Sequence, residues 1–228
     1  MTLTLDGFEN FLRFYRGHPW QREGVAQLYE SLRLENVDLL NERHQWVMSY
    51  RGEGGELFLS VPYELQHDNK TEGYRECFSS SVAMVARYHG ADIANDDEYI
   101  EIRQKYGDTT DPQAHVSALN ELGLFCKFHQ DGSVSDLERL LYEKCPIPVG
   151  WLHRGSVNSP QGSGHWSVIT GMTPTHWRHA DPNGEADMIR GGYLNHTAGK
   201  DIDYTRNNWE KRWAIEGPGS GWYLEVRP

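Results

Sequence analysis

Cys77 heads a run of small residues, Glu76-Cys77-Phe78-Ser79-Ser80-Ser81-Val82-Ala83-Met84, and Gln66 stands eleven positions before it. Far downstream lie Gly164-His165-Trp166-Ser167-Val168-Ile169-Thr170 and then Ala180-Asp181-Pro182-Asn183. A free thiol, with a pKa of about 8.5, is mostly protonated at neutral pH, so a nucleophilic cysteine needs help. A helix N-terminus supplies unpaired N–H groups and the positive end of a dipole. A histidine can take the proton and form a thiolate–imidazolium pair. A carboxylate behind that histidine fixes its tautomer, and a side-chain amide paired with a backbone N–H makes an oxyanion hole. Cys77, His165, Asp181 and Gln66 supply these four parts in chain order, with Asn183 as second candidate for the orienting role. Singly, each has an ordinary reading: a core histidine, a turn aspartate, a loop glutamine. As an ordered set they point to acyl transfer at a thiol.

The elements that must carry these groups can be read from pattern. The small-residue run predicts a helix from about Cys77 to His89, stopped by Gly90 and able to pack closely on a sheet. His165 begins an apolar segment over 165–172 that reads as a strand, with His165, Ser167, Ile169 and Gly171 on one face and Trp166, Val168 and Thr170 on the other. A second strand at 175–180 and a turn at Asp181-Pro182-Asn183-Gly184 make a hairpin return that brings Asp181 beside His165. Further helices are expected from Asp96 or Asp97 to Tyr106, from Asp111-Pro112 to Gly123, from a Ser135 cap to Lys144, and from Tyr204 to Lys211. Strands are expected at 57–63, 124–129, 146–152 and 221–226. Helices first and strands later predict an α+β domain over 57–228. Residues 1–50 read as a separate helical segment, with helices near 8–15, 20–32 and 37–48, followed by a linker at 51–56.

The 228 residues carry a formal net charge of −11, which argues against non-specific nucleic-acid binding and gives no basic handle for an anionic membrane surface. No run of about 18 apolar residues occurs, and the N-terminal stretch lacks a basic segment followed by an apolar one, so neither a membrane span nor a secretory signal is expected. The expected location is cytoplasmic at synthesis, with later release to a cell wall or virion. Three cysteines are too few and odd for a disulfide framework, and Cys126 and Cys145 read as small buried hydrophobes.

Other clusters are weaker. Asp68, Asn69, Glu72 and Glu76 crowd the loop before Cys77; they read first as a solvated acidic loop and second as oxygen ligands for calcium, since the regular spacing of a calcium loop is missing. Cys126 with His129, and His176 with His179, each offer two zinc ligands but no partner motif, so no cofactor or metal is expected. The serines at 79–81 read as close-packing residues. Of eight tryptophans, Trp151, Trp166, Trp177 and Trp222 are candidates either for the core or for stacking on sugar rings.

Over about residues 57–226 the chain resembles papain-like cysteine peptidases related to the bacteriocin-leader-processing, C39-like group. The residues that carry the resemblance are Val61-Pro62-Tyr63 through Gln66-His67-Asp68-Asn69, Cys77 to Met84, Gly164 to Ile169, and Asp181-Pro182. It is more narrowly similar to phage and cyanobacterial members through Gly107-Asp108-Thr109-Thr110, Pro146-Ile147-Pro148-Val149-Gly150 and Gly219-Ser220-Gly221-Trp222-Tyr223. Phe11 to Gln21 is similar to a helical region found beside cell-wall hydrolase domains. The resemblance implies a papain-like fold and a peptidase, with a phage lysin cutting peptidoglycan peptides as the narrower expectation. The 228 residues hold no membrane or nucleotide-binding domain of the kind the transporter-fused members carry, so leader-peptide processing during export is not the expected role. The alternatives are a thiol acyltransferase or transglutaminase using the same groups, and a non-catalytic wall- or protein-binding module.

Overall fold

The computed structural model describes residues 56–228. The helices expected over 8–48, and all but the last residue of the expected linker, lie outside the described residues.

Helix α1 (Cys77–Tyr88) is the element around which the rest is arranged, and every residue from Phe78 to Ala86 is buried. Its small side chains allow this: Ser79, Ser80, Ala83 and Ala86 let neighbours approach the backbone, while Val82, Met84 and Val85 fill the space between. Two of its buried serine hydroxyls are paired, Ser79 with Thr109 at 3.0 Å and Ser80 donating to Asp96 at 2.5 Å, whereas that of Ser81 finds no partner among the described residues. Two helices pack near it. Helix α2 (Asp96–Arg103) is capped by Asn95, whose side chain accepts from the Glu98 N–H, so the cap lies one residue before the expected aspartates. Those aspartates sit instead in the first turn, where the helix dipole favours them. Helix α3 (Pro112–Glu121) begins with Asp111 as cap and Pro112 in the first turn.

Strand β1 (Leu57–Phe58) precedes these helices, and after α3 come β2 (Phe125–Gly132), α4 (Val134–Tyr142), β3 (Ile147–Trp151), β4 (His165–Met172), β5 (His176–Ala180), β6 (Glu185–Ala186), β7 (Tyr193–Asn195), β8 (Ile202–Thr205), α5 (Arg206–Trp213) and β9 (Gly221–Arg227). The main sheet runs β2-β9-β3-β4-β5-β8, with β1 pairing β4, and its pairings are antiparallel. Helix α1 lies against β3 and β4, the central strands. This is an α+β papain-like arrangement: a buried helix begins at the cysteine and packs on an antiparallel sheet whose central strand begins at the histidine.

Three further expectations need correction. The strand expected over 57–63 is only two residues long, because β4 is already paired by β3 and β5 and accepts β1 only at Gly171 and Met172. Helix α4 is capped by Ser133, not Ser135: Ser133 and Asp136 satisfy each other's backbone N–H groups in a capping box. Tyr204 belongs to β8, where it pairs with Trp177, and α5 starts after it at Arg206. That pairing is long-range and leaves no local signal.

Candidate active site

Cys77 is the first residue of α1 and half-buried, whereas Cys126 and Cys145 are buried and free. As at any helix start, the first-turn N–H groups beside it have no intrahelical partner. Glu76, the residue before it, is buried and gives both carboxylate oxygens to the Arg103 guanidinium at 2.8 and 2.9 Å, while Arg103 also donates to the Gly107 carbonyl at 2.8 Å. The start of α1 is therefore tied to the end of α2 by a fully buried ion pair. The acidic loop thus has one of its four side chains turned away, and among the described residues no group of three or more metal-ligating side chains converges.

His165 opens β4 and is buried. Its Nε2 lies 2.8 Å from Asp181 Oδ1, which leaves Nδ1 open toward Cys77, close enough to act on the charge of the ring. Burial alone would push this imidazole down, but the Asp181 carboxylate and Cys77 outweigh it and raise the pKa to about 10. By contrast, burial pushes His153 down to about 4 and His179 to about 3, with the charge on His165 adding to both shifts. Of these three histidines, His165 is the one that faces a carboxylate.

Asp181 is held on every side. Oδ1 also accepts from the Asn183 backbone N–H at 2.9 Å, and Oδ2 accepts from the Tyr204 hydroxyl at 3.3 Å. Its main-chain N–H donates to the Gly199 carbonyl at 2.7 Å, and its carbonyl accepts from Tyr63 at 3.0 Å. Gly199 has no room for a side chain, since a Cβ would stand 1.8 Å from the Asp181 carbonyl oxygen. The Asn183 side chain points elsewhere: its Oδ1 lies 2.5 Å from His67 Nε2 and 3.2 Å from His196 Nδ1.

Gln66 is buried in a short 3-10 turn, Gln66–Asp68. Its backbone N–H donates to the Pro182 carbonyl at 2.9 Å, joining this turn to the one that carries Asp181. Its side-chain Nε2 donates one hydrogen to the Gly73 carbonyl at 2.9 Å, which leaves the second N–H of the amide for another acceptor.

Several neighbours of the site escaped sequence reading. Tyr193 and His153 flank the His165 ring, each with its centroid 5.6 Å away. Arg212, buried on α5, donates to the carbonyls of Leu152, Arg154, Gly155 and Met188 and so pins the loops that carry them. Tyr63 and Tyr204 support Asp181 from residues more than twenty positions away. The Gly191-Gly192 pair was a usable turn signal for the β6–β7 hairpin bearing Tyr193; Arg212 left none. Of the tryptophans weighed for stacking, Trp151 and Trp177 are core, while Trp222 is 46% exposed.

The geometry yields a pH prediction. A base held as imidazolium by Asp181 keeps the pair charged up to high pH, so kcat/KM on a peptide should persist through about pH 8 and fall as His165 deprotonates near about 10. Asp181→Asn removes the strongest influence raising His165 and should move that basic limb toward the ordinary histidine range of about 6.5, with kcat lowered about 10²- to 10⁴-fold. Asn183→Ala retains the backbone N–H on Asp181 and should cost about threefold or less. A larger loss from Asn183→Ala than from Asp181→Asn would reverse the two roles. The same shift bears on stability: a histidine raised on folding stabilises fully below about pH 6.5 and loses that contribution as pH rises through about 10.

Comparison with known proteins places the chain in a family. The family model described as papain-like cysteine protease AvrRpt2 matches residues 57–189. Among solved structures, a Bacillus anthracis protein described as a C39-like peptidase is 14% identical, with 76% of this chain and 98% of that one covered and a TM-score of 0.53. The peptidase domain of Streptococcus ComA is 17% identical, with 76% and 98% covered and a TM-score of 0.47. A double glycine motif protease from an AMS/PCAT transporter, solved with a leader peptide, is 19% identical, with 75% and 94% covered and a TM-score of 0.45. The Bacillus anthracis likeness is one of fold. No curated protein matches the chain.

Proposed function

Because the chain belongs to the papain-like cysteine proteases, we propose that it cleaves peptide amide bonds with Cys77 as nucleophile, His165 as base and acid, Asp181 as orienter and Gln66 in the oxyanion hole. The observation that supports this most is the buried His165–Asp181 pair at 2.8 Å, with the Cys77 thiol at a helix start near enough to raise the charge on the same ring.

The steps follow from these positions. The Cys77 thiolate attacks the carbonyl carbon, and the oxygen that becomes negative is met by the Cys77 backbone N–H and the remaining N–H of Gln66. His165 gives its proton to the leaving nitrogen, the C–N bond breaks, and a thioester remains. Neutral His165 then takes a proton from water, the hydroxide adds to the thioester carbon, and collapse expels the thiolate and leaves a carboxylic acid. Proton, thiolate and imidazolium return to their starting state.

For substrate we propose peptides, and more narrowly the stem and cross-link peptides of peptidoglycan, as in a phage lysin. The narrower reading rests on the sequence similarity to phage and cyanobacterial members at 107–110, 146–150 and 219–223. Digesting purified peptidoglycan and a mixture of unstructured peptides with the full chain, with fragment masses read out, tests both. New free amines and acids from the wall polymer, absent with Cys77→Ala, are the expected result. Peptides cut while peptidoglycan stays intact would end the lysin reading. Amide product formed with an added amine in place of acid would turn the assignment toward acyl transfer.

A further inference from the structure

Phe78 directly follows Cys77, and Trp166 directly follows His165. Their rings lie face to face, with centroids 3.6 Å apart and planes within 4° of parallel. Aromatic pairs prefer offset or edge-on contact to such a sandwich, so the surroundings must impose it. They do so from both ends. The outer face of Phe78 is covered by the His115 ring at 3.8 Å. That ring is fixed through both nitrogens, Nδ1 to the Tyr99 hydroxyl at 3.0 Å and Nε2 to the Thr109 carbonyl at 2.9 Å. At the other end, Trp166 lies across β3 at Gly150, where a Cβ would stand 3.0 Å from the indole. Phe128 borders the indole with its centroid 6.3 Å away. Since neighbouring residues of a strand face opposite sides, Trp166 stands on the face of β4 opposite the His165 imidazole.

We propose that Phe78 and Trp166 are positioning residues: their stack clips the start of α1 to the start of β4 and so sets how the Cys77 sulfur meets the His165 ring. The inference rests on the roles assigned above to Cys77 and His165. Helix and strand are separated by 88 residues of chain at this point. One aromatic thickness fixes the spacing between them, and a loss of register of about 1 Å at a reacting pair can cost about a hundredfold in rate.

The test compares Phe78→Leu, Trp166→Leu, Trp166→Phe and Gly150→Ala in the full chain. It reads kcat and KM on a peptide substrate, the thermal melt, and the pH dependence of Cys77 alkylation by iodoacetamide. Both leucine variants should lower kcat about tenfold or more with KM within about twofold, and should move the alkylation midpoint toward the free-thiol value of about 8.5. Trp166→Phe keeps a stacking face and should stay within about threefold of wild type. Gly150→Ala removes no ring but pushes on the indole, and should shift the alkylation midpoint in the same direction even if the leucine variants fail to fold. An unshifted midpoint in folded Gly150→Ala, a rise in KM alone, or Trp166→Phe no better than Trp166→Leu would overturn the clip. Cys77→Ala that still hydrolyses would instead sink the underlying assignment, so the two failures are distinguishable.

Discussion

Cys77→Ala is expected to lose hydrolysis by about 10⁵-fold or more in kcat while melting at the wild-type temperature. The reason for the first half is that the proposed path forms a covalent bond to sulfur. Ser79 and Ser80, the nearest hydroxyls in sequence, are buried and committed to Thr109 and Asp96. The second half follows from position. The Cys77 side chain is half-buried at the end of its helix, so removing the sulfur leaves no sealed cavity of the kind that makes core truncations costly. Turnover measured beside a thermal melt checks both. Retained turnover contradicts the chemistry, and a large drop in melting temperature contradicts the packing.

Glu76→Ala is expected to produce the largest change in stability, a loss of about 3–5 kcal/mol in urea unfolding, because it strands the Arg103 guanidinium in the interior. Both members of the pair are about 3% exposed, so water cannot replace the lost partner. Replacing both at once, as Glu76→Leu with Arg103→Met, should recover most of the loss, since a matched apolar pair can equal a buried ion pair. Glu76 also precedes Cys77, and Arg103 keeps its charge neutralised there. Arg103→Met should therefore cost activity as well as stability, by leaving a carboxylate beside the sulfur that must carry negative charge. A double-mutant cycle gives the coupling directly, and additive single losses would contradict it.

How much of this was readable beforehand depended on the range of the interaction. Helix α1, strand β4 and the β4–β5 hairpin were legible because small residues, alternation and an Asp-Pro-Asn-Gly turn are local signals. The approach of Asp181 to His165 followed from that hairpin alone. What supports them was not legible. Tyr63, Gly199 and Tyr204 reach Asp181 from distant segments, and Arg212 gathers carbonyls from two loops without a charged partner in its own neighbourhood of sequence. Glu76 read as one more acid in a solvated loop, because its partner Arg103 lies 27 residues on. Boundaries failed for the same reason: Tyr204 joined β8 because Trp177 offered a paired strand, a fact absent from the residues around Tyr204.

The central claim is that Cys77 reacts as a thiolate paired with His165. Iodoacetamide labelling from about pH 5 to pH 9, read by peptide mass, tests it within one molecule, because burial raises the thiols of Cys126, to about 12, and Cys145. The account predicts rapid single labelling at Cys77 below about pH 7, lost in His165→Ala, with Cys126 and Cys145 unmodified. Labelling of Cys77 that rises only near the free-thiol value of about 8.5, and is indifferent to His165→Ala, would contradict it.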